Sequence, residues 1–123
     1  MYAARLLVPR TNHHGRLRVK AQLLVVPDCP HERSGISLFR SALTDAGLPP
    51  QFDVVVVGTE AEAEHRHFSG SPSFHIDQAD LFPAGPTGLA CRVYRSNGGR
   101  LQGLPDRAAL VDRLRMVVGE RVE

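Results

Sequence analysis

At 123 residues the chain is long enough for one domain with a single core and no staples. A hydrophobic content of 42% and a charged content of 23% are ordinary for a soluble globular protein. A formal charge of +2 is too small to point to nucleic acid, and no stretch approaches the ~20 apolar residues of a membrane helix.

The basic excess is concentrated in the first twenty residues, which hold Arg5, Arg10, Arg16, Arg18 and Lys20 and no Asp or Glu. Residues 1–20 read as a basic N-terminal extension, or as a hairpin on a sheet edge with Tyr2 to Val8 as a short strand. His13 and His14 find no third metal ligand at a convincing spacing. Ala3 to Val8 is interrupted by Arg5 and stops at Pro9, unlike the long apolar core of a secretory signal. A cytoplasmic protein is expected. In that compartment the two cysteines are free thiols, metal ligands or redox-active groups rather than a staple.

Ala21 to Val26 reads as a strand buried on both faces, as in a parallel sheet. Pro30 suits a first helical turn, and Ile36, Phe39, Leu43 and Ala46 recur at spacings of three and four. Gly47 and Pro49-Pro50 stop the pattern, so residues 30–46 are expected to be helical. Phe52 to Val57 reads as a second buried strand. Thr59 and Glu62 form a capping box for a short helix over residues 60–67. Ser73 to Ile76 is a short strand, a bend follows at Asp77-Gln78, and Asp80 to Phe82 continues it or pairs back.

Pro83 to Gly88 is a loop, and Leu89 to Arg95 is a strand candidate. Ser96-Asn97-Gly98-Gly99 turns it back into Arg100 to Gln102. Pro105 opens a last helix whose buried face is Leu110, Val111, Leu114, Val117 and Val118, with Gly119 as its end. The first two strands, joined through a helix, are expected to be parallel and the last pair antiparallel. The class is α/β, with a mixed sheet of about four core strands and three flanking helices.

Cys29 sits where the first strand meets the first helix. Unpaired backbone N–H groups and the positive end of the helix dipole favour a thiolate there. His31 adds positive charge, and Asp28 and Glu32 oppose it. The other thiol, Cys91, lies in Gly88-Leu89-Ala90-Cys91-Arg92, in an apolar strand where a lone cysteine is usually a small core residue.

The order of elements over residues 21–118, Cys29 before a helix, and Gly70-Ser71-Pro72 before the third strand together resemble the thioredoxin-like fold. The resemblance implies a thioredoxin-like domain over residues 21–119. It also implies a cis Pro72 facing the reactive cysteine, and a Ser71 whose backbone offers hydrogen bonds to an incoming thiol or peptide. Pro30-His31 matches the middle pair of strongly oxidising thiol oxidases. Glu32, however, stands where the resolving cysteine of a Cys-x-x-Cys motif belongs. Pro-Asp-Cys-Pro, Gly-Ser-Pro and Gly-Leu-Ala-Cys-Arg-Val-Tyr are also similar to small bacterial thioredoxin-family proteins, some labelled alkylmercury lyase.

The chemistry this implies is thiol–disulfide exchange. Cys29 is the nucleophile, His31 tunes it, Pro30, Ser71 and Pro72 bind substrate, and Cys91 or an external thiol resolves the mixed disulfide. The expected partner is a protein or a low-molecular-weight thiol or disulfide. No cofactor, nucleic acid or membrane is expected. Two alternatives stay open. One is a binding or regulatory module without redox chemistry. The other is capture of Zn²⁺, Cu⁺, Hg²⁺ or an organomercurial by the thiols with His31, His65, His67 and His75, although their spacing matches no compact finger.

Overall fold

The computed structural model describes residues 19–121. The elements are β1 (Ala21–Val25), α1 (Glu32–Asp45), β2 (Asp53–Val56), α2 (Glu60–His65), β3 (Ser73–Ile76), β4 (Ala79–Asp80), β5 (Tyr94–Arg95), β6 (Leu101–Gln102) and α3 (Arg107–Arg121). The strand expected over Tyr2 to Val8 and the His13/His14 pair lie outside the described residues.

β1 is buried along its whole length because it is an inner strand. It runs parallel to β2, with Leu23 opposite Val54, and antiparallel to β3, with Leu23 opposite Phe74. β4 pairs back on β3, giving a mixed four-stranded sheet in the order β2-β1-β3-β4. No described helix is long and apolar enough to cross a membrane.

Side chains alternate across the sheet. Leu23, Val25, Phe74 and Ile76 enter one core with Phe39 and Leu43 of α1 and Leu110 and Leu114 of α3. Phe39 meets Phe74 edge-on, with ring centroids 5.2 Å apart at 87°. Burying each such ring contributes roughly 1.5–3 kcal/mol. Leu24 faces the other way and packs with Val57, Ala63 and Phe68 beneath α2. Gly35 lets α1 approach β1 closely: a Cβ there would lie 3.5 Å from Leu23 Cδ2.

The helix ends follow local chemistry. Gly47 (φ 78°) ends α1, with Leu48 N–H on Leu43 O and Gly47 N–H on Thr44 O. Thr59 Oγ1 accepts the Glu62 N–H at 3.1 Å, and Glu62 Oε1 accepts the N–H of Gly58. α2 stops at His65 rather than at residue 67, because His67 (φ 56°) takes the left-handed position that Gly47 takes after α1. α1 starts at Glu32 rather than Pro30, since the Glu32 N–H turns back to Cys29 O at 3.2 Å before α-helical bonding begins.

Three further expectations change. Among the described residues β2 is an edge strand, and Val54 and Val56 stay 39% and 52% exposed instead of buried on both faces. Leu89 to Arg95 is a ladder strand only at Tyr94–Arg95, which pairs with β6 across the Asn97-Gly98 turn. α3 begins after Asp106, whose carboxylate accepts Asn97 N–H and Gln102 Nε2, and it continues through Gly119.

Candidate functional site

Cys29 follows β1 by a turn in which Asp28 adopts φ 61°. Aspartate tolerates that conformation better than most residues. Cys29 is 8% exposed and belongs to the main core, while Pro30 next to it is exposed. His31 caps α1 by position, with no side-chain cap bond. Its ring is seated so close to the Gly103 backbone that a Cβ on Gly103 would run into Nε2. The loop after β6 therefore lies against the imidazole.

Pro72 follows a cis peptide bond at Ser71 and is fully buried. Ser71 is the junction of the site. Its Oγ accepts the Val26 N–H at 3.0 Å, which ties it to the end of β1. Its own N–H donates to Ala90 O at 3.0 Å, and its O accepts Arg92 N–H at 2.9 Å. The backbone hydrogen bonds expected toward an incoming chain are thus made within the protein, to the segment that carries Cys91. Cys91 forms an isolated parallel bridge with Ser71. The two free thiols therefore sit on segments that Ser71 joins, Cys29 buried and Cys91 exposed. That reverses the expectation of a core Cys91, because Arg92 and Tyr94 take the inward positions.

Arg92, Asp80, Ser73 and Tyr94 were not singled out by sequence, yet they brace this site. Arg92 Nη1 bonds Asp80 Oδ2 at 2.7 Å and Ser73 Oγ at 3.1 Å, and Nη2 donates to Phe82 O. Tyr94 Oη donates to Pro72 O at 2.6 Å. Burial pushes the phenol well above its ordinary value, so the hydroxyl keeps its proton as a donor. The signal available in sequence was the alternation Cys91-Arg92-Val93-Tyr94, which puts one arginine on the same face as a tyrosine.

The histidines separate. His31 belongs to the start of α1, whereas His65, His67 and His75 line one cavity on the α2 side of the sheet. Among the described residues no three His, Cys, Asp or Glu side chains are grouped to hold a metal ion. The chain matches no family model, no curated protein and no solved structure.

Proposed function

We propose that this chain is a thioredoxin-like thiol–disulfide exchange protein that uses Cys29 and Cys91. The observation that carries the reading is the double attachment of Ser71, through Oγ to Val26 and through its backbone to the Cys91 segment. The cis bond before Pro72 and the inner position of β1 between a parallel and an antiparallel neighbour support it.

The reaction balances as two exchanges. The Cys29 thiolate attacks a disulfide R–S–S–R′, forming Cys29–S–S–R and releasing R′–S⁻. The Cys91 thiolate then attacks Cys29 Sγ, releasing R–S⁻ and leaving a Cys29–Cys91 disulfide. A low-molecular-weight thiol of a reducing, cytoplasmic setting returns both residues to thiols. Cys29 is only 8% exposed, and Pro30 beside it is exposed. His31, whose ring lies against Gly103, is the basic group nearest in sequence to the thiol.

A second reading, a binding module without redox chemistry, is favoured by one observation: Cys29 packs in the main core. Site-resolved alkylation separates the two. Iodoacetamide is reacted with wild type and with Cys91→Ser across a pH series, and carbamidomethylation of each cysteine is counted by mass spectrometry. Exchange chemistry predicts that Cys29 is carbamidomethylated in the folded protein, in wild type and in Cys91→Ser alike. Modification of Cys29 only after unfolding would leave the binding module as the reading.

A further inference from the structure

A second site lies on the opposite face of the sheet from the main core. Gln22 and Leu24 of β1 and His75 of β3 form the floor of a cavity of about 410 Å³, walled by His65, Arg66 and His67 and by the Asp77-Gln78 turn. His75 is 1% exposed, and among the described residues its Nε2 has no hydrogen-bond partner. Leaving such a nitrogen bare costs roughly 1–3 kcal/mol. The space is far larger than the ~30 Å³ of a water and falls in the range of small-molecule pockets.

The walls are held in uncommon backbone conformations. Of the four non-glycine residues with positive φ among the described residues, three line this cavity: His67 (56°), Asp77 (52°) and Gln78 (72°). Glycine would satisfy each of these turns with less strain. Residues held this way cluster at ligand sites.

The charged groups of the walls differ in how they are paired. Asp77 Oδ1 accepts the Lys20 backbone N–H at 2.9 Å, a bond that orients this carboxylate and leaves its charge in place. Asp80, beyond the floor, is paired with Arg92 at 2.7 Å. Arg66 gives its Nε to Glu62 at 3.3 Å, half-exposed, and Glu62 is its only ion-pair partner among the described residues. The Arg66 guanidinium and the imidazoles of His65 and His67 thus line the same cavity as the unpartnered His75 Nε2.

We propose that this cavity binds a small oxyanion, a phosphate or carboxylate group, with one oxygen accepting from His75 Nε2–H and its charge against Arg66 and His67. Such charge-assisted bonds are the stronger kind, and Arg suits planar or tetrahedral oxyanions.

The test is an NMR titration of the reduced full chain with inorganic phosphate and, separately, with acetate. It is run on wild type, Arg66→Gln and His75→Leu. Arg66→Gln alters a half-exposed side chain, and His75→Leu keeps an apolar volume in the floor, so at least one variant stays folded. Saturable shifts confined to Gln22, Arg66, His67 and His75, with binding weakened about tenfold or more in each folded variant, support the site. Which anion binds more tightly identifies the oxyacid. Absence of saturable shifts with both anions overturns it. So do shifts shared with remote arginines such as Arg33 or Arg95, or an unchanged affinity in His75→Leu.

Discussion

Gly70 has φ 126°, and a Cβ on it would lie 3.1 Å from Arg92 Cβ and 3.2 Å from Ala90 O. Both the backbone angle and the crowding demand glycine. Gly70→Ala is expected to destabilise the protein by about 1–3 kcal/mol, read from urea unfolding. His75 gives a pH signature. Burial holds its pKa below the ordinary value of about 6.5; the Asp80 charge opposes this, while Arg92, His67 and Arg66 reinforce it. Below about pH 6.5 the unfolded chain takes up a proton that folded His75 refuses. The His75 contribution is therefore complete above that pH. It is lost as pH falls toward the lowered folded value, by at most about 1.4 kcal/mol per pH unit. Urea unfolding of wild type and His75→Gln from about pH 8 to about pH 5, in a buffer free of phosphate and carboxylates, should show a shallower slope in the variant. Parallel slopes would refute this assignment.

At the scale of elements, the Arg92 network joins β3, β4 and the Cys91 segment. Asp80 and Arg92 side chains are 9% and 6% exposed, so removing one partner strands a buried charge. Arg92→Ala is expected to cost about 3–5 kcal/mol, and Arg92→Lys to recover little, because one guanidinium serves Ser73, Asp80 and Phe82 together. Equilibrium denaturation of the two variants measures this directly. The helix signals were legible in sequence because they are local: Gly47 and the Thr59/Glu62 pair act within one turn. His67 in the left-handed position was not legible, since nothing in residues 60–68 announces that a histidine will occupy a site that glycine prefers. Val54 and Val56 misled for a different reason. Apolar runs report β propensity, while exposure depends on whether the strand ends at a sheet edge, and β2 does.

At the scale of the molecule, the α/β class and the parallel pairing of the first two strands followed from apolar runs, helix stripes and turn residues taken together. The candidate site was legible only in part. Cys29 could be named from its place between a strand and a helix, whereas Ser71 and Pro72 were implied by the resemblance to thioredoxin-like proteins. The exposures of the two thiols could not, because they depend on which face of the 89–95 segment Arg92 occupies, a tertiary outcome. The same holds for the cavity beneath α2, whose residues come from β1, α2 and the β3–β4 turn. The central claim is that two thiols far apart in sequence form one exchange site around Ser71. The most direct measurement treats the reduced protein with oxidised glutathione and maps the adducts by mass spectrometry, for wild type and Cys91→Ser. The account predicts a Cys29–Cys91 disulfide in the first and a glutathione adduct on Cys29 in the second. Adducts on Cys91 alone, with Cys29 a free thiol in both proteins, would contradict it.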